Sequence, residues 1–350
     1  MRIGLYGMPT SGKTFILDRV DFIKVMQGSC MLHELCPDFD TVDENKKNIV
    51  RQELANLLAK EDKMIMDGHY AFGNKVVFTE ADGRLYDAIL YLYISPEVLK
   101  SRMELSERNR KYLTYDIEAW QNMEIEELRG YCHKNNKDFY VIDNPPSNTF
   151  NDVSEVLGFI RAIVDGYSCK EMADRCVNEI LMDSHSDTVV LMDGDKTITT
   201  EDTSHAVFGY TTHLYDGNFY TGYQSWKQAK EFESYDFEDL TEMPVPINEK
   251  VIQAMTDDTY ILTSGHERVW RYIAERLDVS FYSGIEMAAE TKLFITKFLQ
   301  EAGKKVIAYG DGMNDYYMLM YADKGYLVTK KDGSVSRSLR KRSIEGLIRV

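Results

Sequence analysis

The sequence predicts an α/β protein built from two doubly wound parallel-sheet domains. Three observations carry this expectation. Short apolar runs ending in glycine or aspartate alternate with segments whose apolar residues recur at helical spacing, the pattern of parallel strands joined by helical crossovers. A chain of 350 residues, 44% of them hydrophobic, has the length for two cores. Two phosphate-handling motifs stand far apart in the chain, each at the end of its own apolar run.

The first of those runs is Arg2–Tyr6. It leads into Gly7, Met8, Pro9, Thr10, Ser11, Gly12, Lys13 and Thr14, a full match to G-x-x-x-x-G-K-[ST]. Phe15, Ile16, Val20 and Ile23 follow at helical spacing, so a helix is expected over 15–26. A glycine-rich loop between strand and helix cradles phosphates with its backbone N–H groups. Lys13 is expected at the β- and γ-phosphates of a bound nucleotide, and the Thr14 hydroxyl on Mg²⁺.

A second strand is expected at 31–35, followed by Asp38 and Asp40 and a helix over 44–60. The two acids either orient an acceptor hydroxyl or are solvated loop acids before a helix start. Residues 63–67 read as a strand ending in Asp67, with Gly68 and His69 next. Asp67 suits a carboxylate that polarises Mg²⁺-bound water; His69 is either near the acceptor or a packed histidine. Residues 88–94 are nearly all apolar, and Ser95, Pro96 and Glu97 open a helix. Arg102 on that helix, and Arg108 and Arg110 beyond it, are candidates for closing over a triphosphate. The alternative is a basic helix face paired with Glu104 and Glu107. A strand at 138–142, a loop at 144–148 and a helix at 153–164 close this half. The expected boundary gives domains of 1–165 and 166–350, with a helix over 172–182 at the join.

In the second half the apolar run 189–192 ends in Asp193, Gly194, Asp195, Lys196 and Thr197. The period of two puts Asp193, Asp195 and Thr197 on one side of the chain. Two carboxylates there repel unless a cation or a shared proton compensates. A helix is expected over 198–208, and a small cap over roughly 203–250 that carries Tyr220, Tyr223, Trp226 and Lys227. The acids Glu231, Glu233, Asp236, Glu238 and Asp239 read as a solvated run. A strand at 259–263 ends at Ser264, whose hydroxyl can bind a phosphoryl oxygen. Helices are expected at Glu267–Leu277 and 292–302, the second opening with Lys292. The strand beginning at Val306 ends in Asp311, Gly312, Met313, Asn314 and Asp315. Asp311 and Asp315 complete an oxygen-rich set that suits Mg²⁺. The segment 330–350 holds seven Lys and Arg against two acids. It is expected either as a helix packed on the domain or as a contact for phosphate-bearing substrate.

Residues 1–165 resemble the P-loop kinases of the nucleotide-kinase type. The resemblance rests on Gly7–Thr14, on Asp67-Gly-His69, and on the arginine segment after Ser95 and Pro96. It implies that the loop binds ATP, that Asp67 serves Mg²⁺, and that Arg102, Arg108 and Arg110 close over the phosphates. Residues 187–350 resemble the haloacid-dehalogenase (HAD) superfamily phosphatases, nearest the phosphoserine-phosphatase-like branch, through D-x-D-x-T, Ser264, Lys292 and G-D-G-x-N-D. The resemblance implies Asp193 as the nucleophile that forms an aspartyl phosphate, and Asp195 as its acid/base partner. It places Ser264 and Lys292 on the phosphoryl oxygens. Mg²⁺ is implied at Asp193, Asp311 and the Asp195 main-chain carbonyl, with Asp315 in support. Asp202 stands where the phosphoserine phosphatases carry a glutamate, and 199–239 has only Lys227 and Lys230 as cations. Phosphoserine is therefore disfavoured as substrate.

The formal net charge of -16 argues against a broad nucleic-acid footprint and leaves a local basic groove open. The five cysteines show no C-x-x-C pair and read as free thiols. With no apolar stretch of membrane-spanning length, the expectation is a cytosolic protein. It would be a bifunctional enzyme, an ATP-dependent kinase joined to a Mg²⁺-dependent phosphatase, acting on a nucleotide or small phosphorylated metabolite. Two alternatives stand beside it. One is repair of nucleic-acid ends, since phage-type polynucleotide kinase-phosphatases share this domain order. The other is a phosphatase regulated by a nucleotide-binding domain.

Overall fold

The computed structural model describes residues 1–143, 153–209, 219–235 and 238–350. The expected loop at 144–148, part of the expected cap (210–218) and Asp236 lie outside the described residues. The chain divides into two compact units, Met1–Tyr167 and Ser168–Val350.

In the first unit, β1 (Arg2–Tyr6) runs into the glycine-rich loop and α1 (Lys13–Leu17). Then come β2 (Lys24–Met26), α2 (Gly28–Leu35), α3 (Glu44–Leu58) and β3 (Met64–Asp67). A small antiparallel pair, β4 (Ala71–Phe72) and β5 (Lys75–Val76), precedes α4 (Glu80–Leu85) and β6 (Ala88–Tyr93). The unit ends with α5 (Pro96–Glu104), α6 (Ile117–Lys134), β7 (Asp138–Asp143) and α7 (Ser154–Val164). The main sheet is parallel, in the order β2-β3-β1-β6-β7. Strands β1 and β6 are nearly continuous buried runs, as a parallel sheet covered on both faces requires.

Two expectations fail here. The helix over 15–26 stops at Leu17, and residues 24–26 form a strand on β3 instead. Four apolar residues fit the helical period, but Asp18 and Asp21 break the stretch, and pairing with β3, which is non-local, decides the state. Residues 31–35 are helical, not a strand. Leu32 and Leu35, three apart, pack on Cys36, Phe39 and Val50, a helical face that a short apolar run does not reveal.

In the second unit, α8 (Cys169–Asp183) is capped by the Ser168 hydroxyl and precedes β8 (Thr188–Asp193). Then come α9 (Thr203–Phe208), α10 (Gly222–Phe232), α11 (Glu249–Ile252), β9 (Thr259–Leu262), α12 (Glu267–Leu277) and β10 (Ser280–Tyr282). The unit closes with α13 (Ala289–Glu301), β11 (Lys305–Gly310), α14 (Tyr316–Tyr321), β12 (Lys324–Leu327) and β13 (Ile348–Arg349). The sheet is again parallel, in the order β10-β9-β8-β11-β12-β13. Alternation along β8 feeds two cores: Val189 and Leu191 join Ile180 and Phe294, while Val190 and Met192 join Val269, Trp270 and Ile273.

The helix expected over 198–208 exists only from Thr203. Residues before it pair with the chain returning at 246–248, through Thr200 N to Pro246 O (2.9 Å) and Asn248 N to Ile198 O (2.8 Å). The 330–350 segment is not a helix. It contains one 3₁₀ turn, Arg337–Leu339, and ends as edge strand β13, where Tyr326 pairs with Ile348. Among the described residues no helix is long and apolar enough to cross a membrane.

Candidate functional site

In a parallel sheet all carboxyl ends lie on one edge, and residues that follow adjacent strands meet there. In the second unit β8 lies between β9 and β11. Asp193, Ser264 and Asp311, from the ends of those three strands, are therefore neighbours. Asp193 continues the face of β8 that carries Val189 and Leu191 and is covered by α13. On that face it meets Lys292, whose Nζ lies 2.6 Å from Asp193 Oδ1 and 2.8 Å from Asp315 Oδ1. Lys292 is fully buried. Burial pulls its pKa down, but the two carboxylates more than offset this and leave it above the ordinary lysine value.

Asp193, Asp311 and Asp315 each offer an oxygen, and these lie within 4.8 Å of one another. Burial and Asp315 push Asp193 well above the usual carboxylate range, against the opposing pull of Lys292. The same two causes push Asp311 up to about 7. An all-oxygen set with more negative charge than one lysine balances fits a hard divalent cation. Asp193 and Asp311 would hold it. Asp315 is already engaged: its second oxygen accepts from the Asp311 and Gly312 N–H groups (3.1 and 3.2 Å), so it orients the loop and Lys292.

Asp195 is outside this group. Its Oδ1 accepts from Thr203 N (2.6 Å), the first residue of α9, and its Oδ2 from Trp270 Nε1 (3.3 Å) on α12. Burial and the nearby Asp202 charge push it up to about 6, against the Thr203 hydrogen bond. It is thus poised to hold or release a proton near neutral pH. Asp202 caps α9 through Ser204 N and His205 N and pairs with Lys196 Nζ at 2.8 Å. Ser264 Oγ donates to Met287 O (2.5 Å) and accepts from Asn314 Nδ2 (2.8 Å), which fixes both beside the carboxylates. Gly265 is required by the indole: a Cβ there would stand 2.2 Å from Trp270 Nε1 and 2.8 Å from Asp195 Oδ2.

In the first unit β1 lies between β3 and β6, so the loop after Tyr6 and the end of β3 are adjacent. A Cβ at Gly7 would fall 2.9 Å from both Leu92 O and Ser11 Oγ, and its φ of 154° suits glycine. Met8 and Ser11 are fully buried, while Pro9, Thr10 and Gly12 complete the loop and Thr14 is exposed at its end. Lys13 Nζ donates to Gly7 O (2.6 Å) and Met8 O (3.2 Å). Burial lowers it to about 8, against the raising effect of Glu124 and Asp67. The hydroxyls of Thr10 and Ser11 are buried without a hydrogen-bond partner, donors that fit a phosphate ligand.

Asp67 Oδ1 accepts from Gly28 N at 3.1 Å, at the start of α2. Arg102 Nη1 reaches the loop carbonyls of Thr10 (3.2 Å) and Ser11 (3.3 Å). Arg108 lies near both His69 and His33, but His33 is raised above the ordinary histidine value by its hydrogen bonds to Ser29 O and Asp40, against the opposing charge of Arg108. Arg110 does not join them; it donates to Glu104 O at 2.7 and 3.2 Å. His69 Nδ1 is buried without a partner. Burial, then Lys13 and Arg108, hold its ring well below the ordinary histidine pKa.

Sequence reasoning missed Trp270 and Glu124. Helical spacing places Trp270 on the buried face of α12, but nothing in the sequence says that its N–H reaches Asp195. Glu124 left a readable signal, an acid inside the apolar stripe Ile117, Trp120, Ile125 and Leu128 of α6. It is fully buried and accepts from Ala71 N (3.1 Å), Tyr91 OH (2.7 Å) and Trp120 Nε1 (3.0 Å).

Each unit is thus a parallel α/β domain with a polar constellation at the carboxyl edge of its sheet. No family model matches the chain, and no curated protein matches it. Among solved structures it is similar to shikimate kinase from Acinetobacter baumannii, at 13% identity and a TM-score of 0.34, over 47% of this chain and 92% of that one. Shikimate kinase from Bacteroides thetaiotaomicron matches at 14% identity and a TM-score of 0.33, over 47% of this chain and 98% of that one. A HAD family hydrolase from Salmonella enterica serovar Typhi matches at 16% identity and a TM-score of 0.26, over 42% of this chain and 64% of that one. At these identities and scores the matches say nothing of substrate.

Proposed function

We propose that this chain is a bifunctional phosphate-handling enzyme. The second unit removes a phosphate from a monoester, and the first transfers the γ-phosphoryl group of ATP to a hydroxyl of a nucleotide or small metabolite. The observation that carries the phosphatase reading is the buried Lys292 bridging Asp193 and Asp315 at 2.6 and 2.8 Å, with Asp311 beside them.

The chemistry follows from these residues. An Asp193 oxygen attacks phosphorus, forming an aspartyl phosphate as the ester P–O bond breaks. Asp195 gives its proton to the leaving oxygen. Asp195 then takes a proton from water, which attacks phosphorus; inorganic phosphate leaves and Asp193 is restored. Lys292, Ser264 and Asn314 hold the phosphoryl oxygens. Mg²⁺ at Asp193 and Asp311 would offset the charge on the phosphoryl group and keep both carboxylates ionised. In the first unit the loop N–H groups, Thr10, Ser11, Lys13 and Arg102 bind the polyphosphate of ATP, and Thr14 and Asp67 would hold its Mg²⁺.

Asp193→Asn in the full chain should abolish Mg²⁺-dependent phosphatase turnover while leaving ATP binding intact. Lys13→Ala should abolish phosphoryl transfer and leave phosphatase turnover unchanged. Phosphatase activity that survives Asp193→Asn overturns the nucleophile. Phosphatase rates that change with Lys13→Ala or with added nucleotide, without any phosphorylated acceptor, favour the regulatory reading instead.

A further inference from the structure

The C-terminal segment 330–350 carries a charge opposite to that of the chain, seven Lys and Arg against two acids where the total is -16. It forms an anchored platform. After β12, the chain closes a tight turn, with Lys330 N on Ser334 O (2.9 Å) and Gly333 N on Lys330 O (2.8 Å). Leu339 is buried, and Val335, Ile344 and Leu347 pack against the same core. Lys330, Lys331, Arg337, Arg340 and Lys341 point the other way and are all exposed. Among the described residues none of the five has an ion-pair partner. The neighbouring acid Asp332 is held instead by Ser334, through N (2.9 Å) and Oγ (2.6 Å).

The platform lies against the loop that carries Asp311. Ser338 Oγ accepts from Met313 N at 3.0 Å. Ser338 Oγ and Ser336 Oγ stand 3.4 and 3.8 Å from where a Cβ on Gly312 would be. Arg337 lies between those two serines. Lys330 and Lys331 follow the carboxyl end of β12, the edge on which Asp193 and Asp311 stand.

Lys292 already supplies positive charge at the reacting phosphorus, and these cations are not needed there. We propose that the exposed cations of 330–341 form a rim that binds a phosphate of the substrate other than the one removed. The substrate of the second unit is then polyphosphorylated, either a nucleotide carrying a further phosphate or the end of a nucleic-acid strand. This rests on the phosphatase reading of Asp193.

The test compares the full chain with its Arg337→Gln/Arg340→Gln/Lys341→Gln variant on p-nitrophenyl phosphate, a nucleoside bisphosphate and an oligonucleotide with a terminal phosphate. Relative to p-nitrophenyl phosphate, kcat/KM for the polyphosphorylated substrate should fall about tenfold or more in the variant, through KM, with a shallower salt dependence. A fall confined to the oligonucleotide assigns a strand end; a fall shared with the bisphosphate assigns a nucleotide. Unchanged ratios overturn the rim. Binding of the same two ligands to the Asp193→Asn chain, with and without the triple substitution, separates the two ideas. If the parent hydrolyses nothing yet the triple substitution weakens binding, the phosphatase reading fails and the rim stands. If binding is equal, the rim fails.

Discussion

The indole N–H of Trp270 points at Asp195, 3.3 Å from its Oδ2, across 75 positions of sequence. Together with Thr203 N it leaves the Asp195 carboxylate one orientation. Trp270→Phe keeps most of the packing and removes the donor. Phosphatase kcat should fall several-fold, corresponding to about 1 kcal/mol for one hydrogen bond, with KM little changed. A variant that turns over as fast as the parent shows that Thr203 alone positions the acid.

Lys292→Met keeps the length of the side chain and removes its charge. Asp193 and Asp315 then face each other, buried, without their cation. The second unit should lose about 3–5 kcal/mol of stability, and phosphatase turnover should drop about 100-fold or more. Denaturant titration and steady-state kinetics read the two effects separately. Added Mg²⁺ should restore part of the stability and none of the turnover.

Asp258 is buried and accepts from His185 N (2.7 Å) and Ser186 N (2.6 Å), tying the end of α8 to the start of β9. Burial raises its pKa, but those hydrogen bonds more than offset this and hold it below the usual carboxylate value. The stabilisation is therefore complete above the unfolded value of about 4 and is lost as pH falls through the lower folded value. Asp258→Asn should cost about 1–3 kcal/mol at neutral pH. The gap between variant and parent should narrow at about pH 3. Urea titrations at both pH values check this; a constant gap excludes the charge as the cause.

Glu124 gathers three donors from β4, β6 and α6 in the first unit. Glu124→Gln replaces one acceptor oxygen by a donor. The first unit should lose about 1–3 kcal/mol, and ATP should bind more weakly because Lys13 loses the carboxylate that does most to offset its burial. Phosphatase turnover should not move. Calorimetric unfolding, with two transitions expected, locates the loss.

The strand-end motifs were legible because their spacing is local. Gly7–Thr14 and Asp193–Thr197 follow strongly apolar strands, and Glu267–Leu277 has the bounds its pattern predicts. What escaped depends on distant partners. Residues 24–26 are a strand only because β3 lies beside them, and Met31–Leu35 fits either period until Val50 gives it a surface. Trp270 reads as an ordinary buried aromatic; its polar end matters only once α12 packs beside the loop after β8. The C-terminal cations signalled a surface, but the sequence does not show that Ser336 and Ser338 set it against Gly312.

Asp195 takes its hydrogen bond from Thr203, the first residue of α9, while Asp202 caps that helix and grips Lys196. The group proposed as the acid is thus tied to a short helix outside the sheet, so a substitution at Asp202 or Thr203 is felt at Asp195 without touching a strand end.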